Sequence, residues 1–306
     1  MGIPDDAALA AKRALQRTEA LERLLDGAAF NELDVRIDIQ DRAIWAYQKH
    51  TQRPSFTLPL LRDVRKFQET VKDCLSGIPD GADFPIRYMV WASRADGVFN
   101  LGGDLELFAD LIRRKDREGL RAYAHACIDI CYPNAINLGL PIISVALVQG
   151  DCLGGGFESA LSSDVLIAER SAKFGLPEIL FGLFPGMGAY SFLARRIGSV
   201  KAEEMIFSGK IFSAEELHAL GVVDVLAEDG FGEEAVQEYI GRTRSKHTAH
   251  RAIYKVRRRF NPVSYDELTD ITDIWVDSAL QLEETDLKKM KRLASAQDRR
   301  RAQMGG

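Results

Sequence analysis

Ala146-Leu-Val-Gln-Gly-Asp-Cys-Leu-Gly-Gly-Gly-Phe-Glu158 decides the reading of this chain: an apolar run, a turn, three consecutive glycines, then the start of a helical pattern. A buried strand running into a helix is the unit of an α/β fold. Gly154, Gly155 and Gly156 permit backbone conformations closed to other residues and let a ligand approach the main chain. A helix beginning there directs free N–H groups and the positive end of its dipole at whatever binds. A phosphate loop is disfavoured because no Gly-Lys-Ser/Thr follows, and the plainer reading is a tight strand-to-helix turn.

Working outward, Phe99-Asn-Leu-Gly-Gly-Asp104 repeats the arrangement, with a strand near Arg87 to Ala92, a glycine turn and a helix start at Asp104 as N-cap or first-turn acid. If the two turns face each other, one N–H from each can bind the same carbonyl oxygen and stabilise an enolate beside a thioester. Downstream, Phe174-Gly-Leu-Pro-Glu178 places an acid after a proline that fixes the local backbone. Glu158 falls in the first turn of a helix that continues into Ala160 and Leu161, where apolar surroundings raise a carboxyl pKa. Two glutamates near one oxyanion site can divide proton removal from proton delivery.

The wider pattern agrees with an α/β fold. Short apolar runs at Ala43 to Tyr47, Arg87 to Trp91 and Ile142 to Val148 alternate with helical stretches. Asp104 to Cys131 reads as one long helix, and Ala7 to Leu25 as an amphipathic helix closed by Asp26-Gly27. After Gly241 strand signals vanish, and helical patterns follow near Ala249 to Arg259, Tyr265 to Leu282 and Asp286 to Arg301. The expected partition is an N-terminal helical extension (1–32), a core (33–241) and a helical C-terminal subdomain (242–306).

At 306 residues and 46% hydrophobic content the chain can bury a large core. No apolar run approaches bilayer length and no signal peptide is evident, so no membrane association and a cytoplasmic location are expected. Cys74, Cys127, Cys131 and Cys152 lack metal-ligand spacing, and His247 and His250, placed on a surface helix, have no third ligand. No metal or cofactor is expected. The net charge of -5 hides an asymmetry: residues 241–306 hold 15 Lys/Arg against 9 Asp/Glu. Arg257-Arg258-Arg259 and Arg299-Arg300-Arg301 read as a solvated face or as a long-range attraction for an anionic partner. Nucleic acid is not expected, since no aromatics are interleaved with the charge.

Taken together, the three glycine and glutamate segments resemble the crotonase (enoyl-CoA hydratase/isomerase) superfamily. That resemblance implies a ββα spiral core and the roles of its motif positions. Phe99, Gly102 and Asp104 match the first oxyanion loop, with Leu101 as donor; Leu153 to Glu158 match the second, with Gly155 as donor; Phe174 to Glu178 match the motif of the second acid. Gly102 and Gly154 then border the substrate. Leu176, Leu180, Phe181, Leu183, Met187 and Trp275 are candidates for an acyl pocket or for ordinary core.

Phe99 to Phe108, Leu183 to Phe192 and Ile274 to Asp277 further resemble the diffusible-signal-factor synthases of bacterial quorum sensing. This finer likeness implies dehydration of a 3-hydroxyacyl thioester on acyl carrier protein to the cis-2-enoyl form, then hydrolysis to the free acid. Glu178 would take the α-proton and Glu158 protonate the departing hydroxyl. A CoA-dependent enoyl hydratase is the alternative, and a catalytically silent acyl- or partner-binding scaffold a second. A homotrimer or dimer of trimers is implied, with a sensor kinase as a further partner in some members.

Overall fold

The computed structural model describes residues 3–78 and 83–304. Ten strands are present among them: β1 (Leu33–Asp38), β2 (Ala43–Gln48), β3 (Tyr88–Ser93), β4 (Val98–Asn100), β5 (Ile143–Val148), β6 (Asp151–Leu153), β7 (Val165–Glu169), β8 (Lys173–Gly175), β9 (Ile211–Ser213) and β10 (Val225–Ala227). Helices α1 (Ile3–Gly27) and α2 (Leu58–Leu75) lie in the first third, followed by α3 (Leu105–Arg113), α4 (Arg117–Ala135), α5 (Gly155–Leu161), α6 (Ala189–Ile197) and α7 (Ser199–Ser208). Then come α8 (Ala214–Ala219), α9 (Gly232–Thr243), α10 (His247–Phe260), α11 (Tyr265–Ala279) and α12 (Glu284–Met304). No helix among the described residues is long and apolar enough to cross a membrane.

The strands form two sheets. The larger runs β1-β2-β3-β5-β7-β10, parallel throughout except for the β1/β2 pair. Every residue of β5 is buried, which is why Ile143–Val148 is a continuous apolar run and not an alternating one. The smaller sheet runs β4-β6-β8-β9, with Val98 opposite Asp151 and Cys152 opposite Phe174. Strands β4, β6 and β8 are parallel, so the segments that follow them leave the same sheet end side by side. Those segments are the first glycine turn, the glycine triplet and the Glu178 turn. The sheet order thus brings together residues up to 80 positions apart.

The single helix expected from Asp104 to Cys131 is two. Asp104 caps α3 by accepting the Leu107 N–H at 3.1 Å, but Lys115 adopts φ +53° and Asp116 starts α4 by accepting the Gly119 N–H at 2.9 Å. A second N-cap acid stopped the first helix, a local competition that the apolar periodicity conceals. His247 is also buried, not on an open surface: its ring meets Tyr88 edge-on and Nε2 lies 3.2 Å from the Arg87 carbonyl oxygen.

The arginine run has a structural task. Asp164, 3% exposed, accepts from Arg257 at 2.8 Å and Arg258 at 2.7 Å, and from the Asn137 amide at 2.6 Å. Two members of the run therefore anchor α10 on the core. The side chains of Arg299, Arg300 and Arg301 lie outside the described residues. Asp164→Ala is expected to cost about 2 kcal/mol, because it strands two guanidinium groups whose other faces still reach water. Urea denaturation checks it: a change below about 0.5 kcal/mol would mean that α10 is held by other contacts.

Candidate active site

Each glycine of the triplet serves a different purpose. Gly154 has φ +50° and ψ −129°, a conformation that only glycine adopts without strain, and its N–H donates to the Gly175 carbonyl at 2.8 Å. Gly155 opens α5 with its backbone beside Gly102: a Cβ on Gly102 would lie 3.0 Å from the Gly155 nitrogen. Gly156 presses α5 onto β4, since a Cβ there would stand 2.1 Å from the Asn100 carbonyl oxygen. The two glycine turns therefore face each other in direct contact.

Hydrogen-bond allocation in the first turn corrects the expected donor. The Leu101 N–H is engaged by the Pro54 carbonyl at 2.7 Å, and the Gly102 N–H by the Asn100 side-chain oxygen at 2.8 Å. Gly103, two positions further on, keeps an N–H with no acceptor among the described residues and lines the cavity. Gly155 does likewise from the second turn. Leu101 contributes an apolar wall, packed with Val98 and Leu153. Asn100, which sequence reasoning passed over, is fully buried and ties this turn to β2 through Gln48 at 2.7 Å.

Glu158 and Glu178 both border the same cavity. Glu158 is 1% exposed, and its Oε1 accepts the N–H groups of Met187 at 2.7 Å and Ala189 at 2.9 Å. Burial raises its pKa, and these two donors oppose the rise. Glu178 sits in a 3-10 turn, Pro177–Phe181, entered from β8. Its Oε1 lies 2.6 Å from the place a Gly154 Cβ would take, and its Oε2 is buried with no partner among the described residues. Burial raises its pKa, and the negative charge of Glu158 raises it further. Two backbone donors thus favour the charged form of Glu158, while the Glu178 Oε2 has none.

A 3-10 turn repeats every three residues, so Glu178 and Phe181 share the cavity face while Leu180 turns outward. Phe181, Leu183, Met187 and Trp275 line the cavity together with Gly102 and Gly154. Two expected pocket residues do not. Leu180 is 48% exposed, and Leu176 is buried in the core cluster of Phe157 and Phe174. Phe108, Tyr123, Cys127 and Leu293 also line the cavity and were not foreseen. The signal for Phe108 was present, since it lies one helical turn beyond Asp104.

Both carboxyls bind protons more tightly when folded than in the unfolded chain, whose glutamates titrate near about 4.3. As pH rises through that value the unfolded chain releases protons that the folded chain keeps, so stability falls until the folded groups ionise as well. Glu178→Gln should therefore melt at a higher temperature than wild type at pH 8 and show no advantage near pH 4. Calorimetry at the two pH values decides it; equal melting at pH 8 would mean that the buried carboxyl is not under strain.

Cavity, paired carboxyls and facing N–H groups thus meet at one site. The enoyl-CoA hydratase/isomerase family model matches residues 68–298, and the chain belongs to that family. The chain is 38% identical over 148 residues to a Rhizobium meliloti (strain 1021) protein named "Probable enoyl-CoA hydratase", covering 47% of this chain and 57% of that one. It is 31% identical over 158 residues to mitochondrial methylglutaconyl-CoA hydratase of Rattus norvegicus, covering 51% and 48%. The chain thus spans about half the length of the curated relatives it matches. Among solved structures, an enoyl-CoA hydratase from Bacillus halodurans shares the fold with a TM-score of 0.70 at 21% identity, over 86% of this chain and 100% of that one.

Proposed function

We propose that this protein adds water reversibly across the α,β double bond of an acyl thioester, with CoA as the thiol carrier. The observation that carries the reading is the unequal pair of carboxyls. Glu158, whose negative charge two backbone N–H groups favour, takes a proton from water as its oxygen attacks Cβ. The electron pair moves onto the thioester oxygen, held by the Gly103 and Gly155 N–H groups. Glu178 delivers its proton to Cα. Dehydration of a 3-hydroxyacyl thioester is the same path reversed, with Glu178 as base and Glu158 as acid.

A second reading keeps the signal-synthase likeness: dehydration on acyl carrier protein followed by thioester hydrolysis to a free cis-2-enoic acid. Its support is that Phe108, Leu183 and Trp275, from the three segments or their borders that resemble such synthases, all line the cavity. One oxyanion site can serve both an enolate and the tetrahedral oxyanion of hydrolysis. Mass spectrometry of products from purified protein with 3-hydroxyacyl-CoA and 3-hydroxyacyl carrier protein separates the readings. An intact enoyl thioester supports the first, released acid the second, and no turnover of either substrate leaves the acyl-binding scaffold. Ile253, Val256 and Phe260, exposed along one face of α10, support self-association.

A further inference from the structure

Tyr123 is buried on α4, yet its hydroxyl joins segments that frame the first glycine turn. It accepts the Asp104 N–H at 3.0 Å and donates to the Phe56 carbonyl. The Phe56 N–H in turn donates to the Gly102 carbonyl at 2.8 Å. That carbonyl and the Gly103 N–H belong to one planar trans peptide and point in opposite directions. Fixing the carbonyl on Phe56 therefore aims the Gly103 N–H the other way, while the Tyr123 hydroxyl ties the next peptide to the same Phe56. A ring contact completes the clamp: Tyr123 meets Phe108 edge-on at 5.0 Å, and the Phe108 ring stands 2.6 Å from where a Gly103 Cβ would be.

We propose that Tyr123 is a positioning residue that sets the direction of the Gly103 N–H, and through it the polarisation of the bound thioester carbonyl. The inference rests on the hydratase reading. With its one proton committed to Phe56, the hydroxyl has none to give to substrate. Its action is on the geometry of the turn.

The test compares Tyr123→Phe with Tyr88→Phe, which removes another buried hydroxyl, hydrogen-bonded to Thr243 on a different sheet face. The probe is crotonyl-CoA carrying carbon-13 at the thioester carbonyl, read by difference infrared spectroscopy, with hydration kinetics alongside. Wild type should lower the carbonyl stretching frequency on binding. Tyr123→Phe should lose most of that lowering and about 10–100-fold in kcat, part of the worth of one oxyanion donor, with KM changed less than about threefold. Tyr88→Phe should keep the carbonyl frequency of wild type even if it melts as early as Tyr123→Phe. An unaltered frequency in folded Tyr123→Phe, or the same loss in both variants, would overturn the positioning role. A wild type that binds the probe with no shift and no turnover would overturn the hydratase reading beneath it.

Discussion

Glu158→Gln and Glu178→Gln should each lower hydration of an enoyl thioester by about 10²–10⁴-fold, the usual worth of one positioned acid or base. The two losses should not add, because the carboxyls act as a unit: the double variant should lie close to the worse single one. The pH profile carries the same information. The proposed hydration needs one proton shared by the pair, so kcat should follow a bell whose limbs both lie above the ordinary carboxylate value of about 4.3. Each variant should lose one limb. Near-normal turnover in either folded variant would remove the assignment, and a rate that is flat from pH 5 to 9 would remove the shared proton.

Gly154→Ala should also cost at least about 100-fold in rate. Its Cβ would arrive 2.6 Å from the Glu178 Oε1, and the residue would hold a φ of +50° that alanine adopts only under strain of about 1–3 kcal/mol. The acid has to move, and misplacing a reacting group by about 1 Å is enough for such a loss. Steady-state kinetics with a denaturation curve separates the two components. A folded Gly154→Ala protein with wild-type kcat would show that Glu178 reaches substrate from another direction.

The glycine turns and both glutamates could be read from the sequence because their chemistry is written locally. A triple glycine before an acid, and Pro-Glu after Phe-Gly, constrain the backbone whatever surrounds them. The identity of the donor in the first turn could not be read, since it depends on Pro54, a residue 47 positions upstream whose carbonyl takes the Leu101 N–H. Leu176 and Leu180 were misplaced for a related reason. Both are apolar beside the site, and only the three-residue period of the short turn decides which side chain enters the cavity. The break between α3 and α4 was within reach of the sequence, as Asp116 is an N-cap residue. The task of Arg257 and Arg258 was not, because Asp164 meets them only once the chain is folded.

The cavity wall contributed by α11 and α12 has a consequence during synthesis. Trp275 packs against Phe108 and against the place a Gly186 Cβ would occupy, while Leu287 and Met290 close over Phe181 and Leu183 in one apolar cluster. On the ribosome, Trp275 follows Glu178 by roughly a hundred residues, an interval of about 5–20 s at ordinary elongation rates. During that time the paired carboxyls exist without their roof, and the greasy floor of the chamber faces water. A nascent chain stalled in this interval is the form most exposed to aggregation, so the demand of this protein for chaperones should fall once α11 and α12 have emerged.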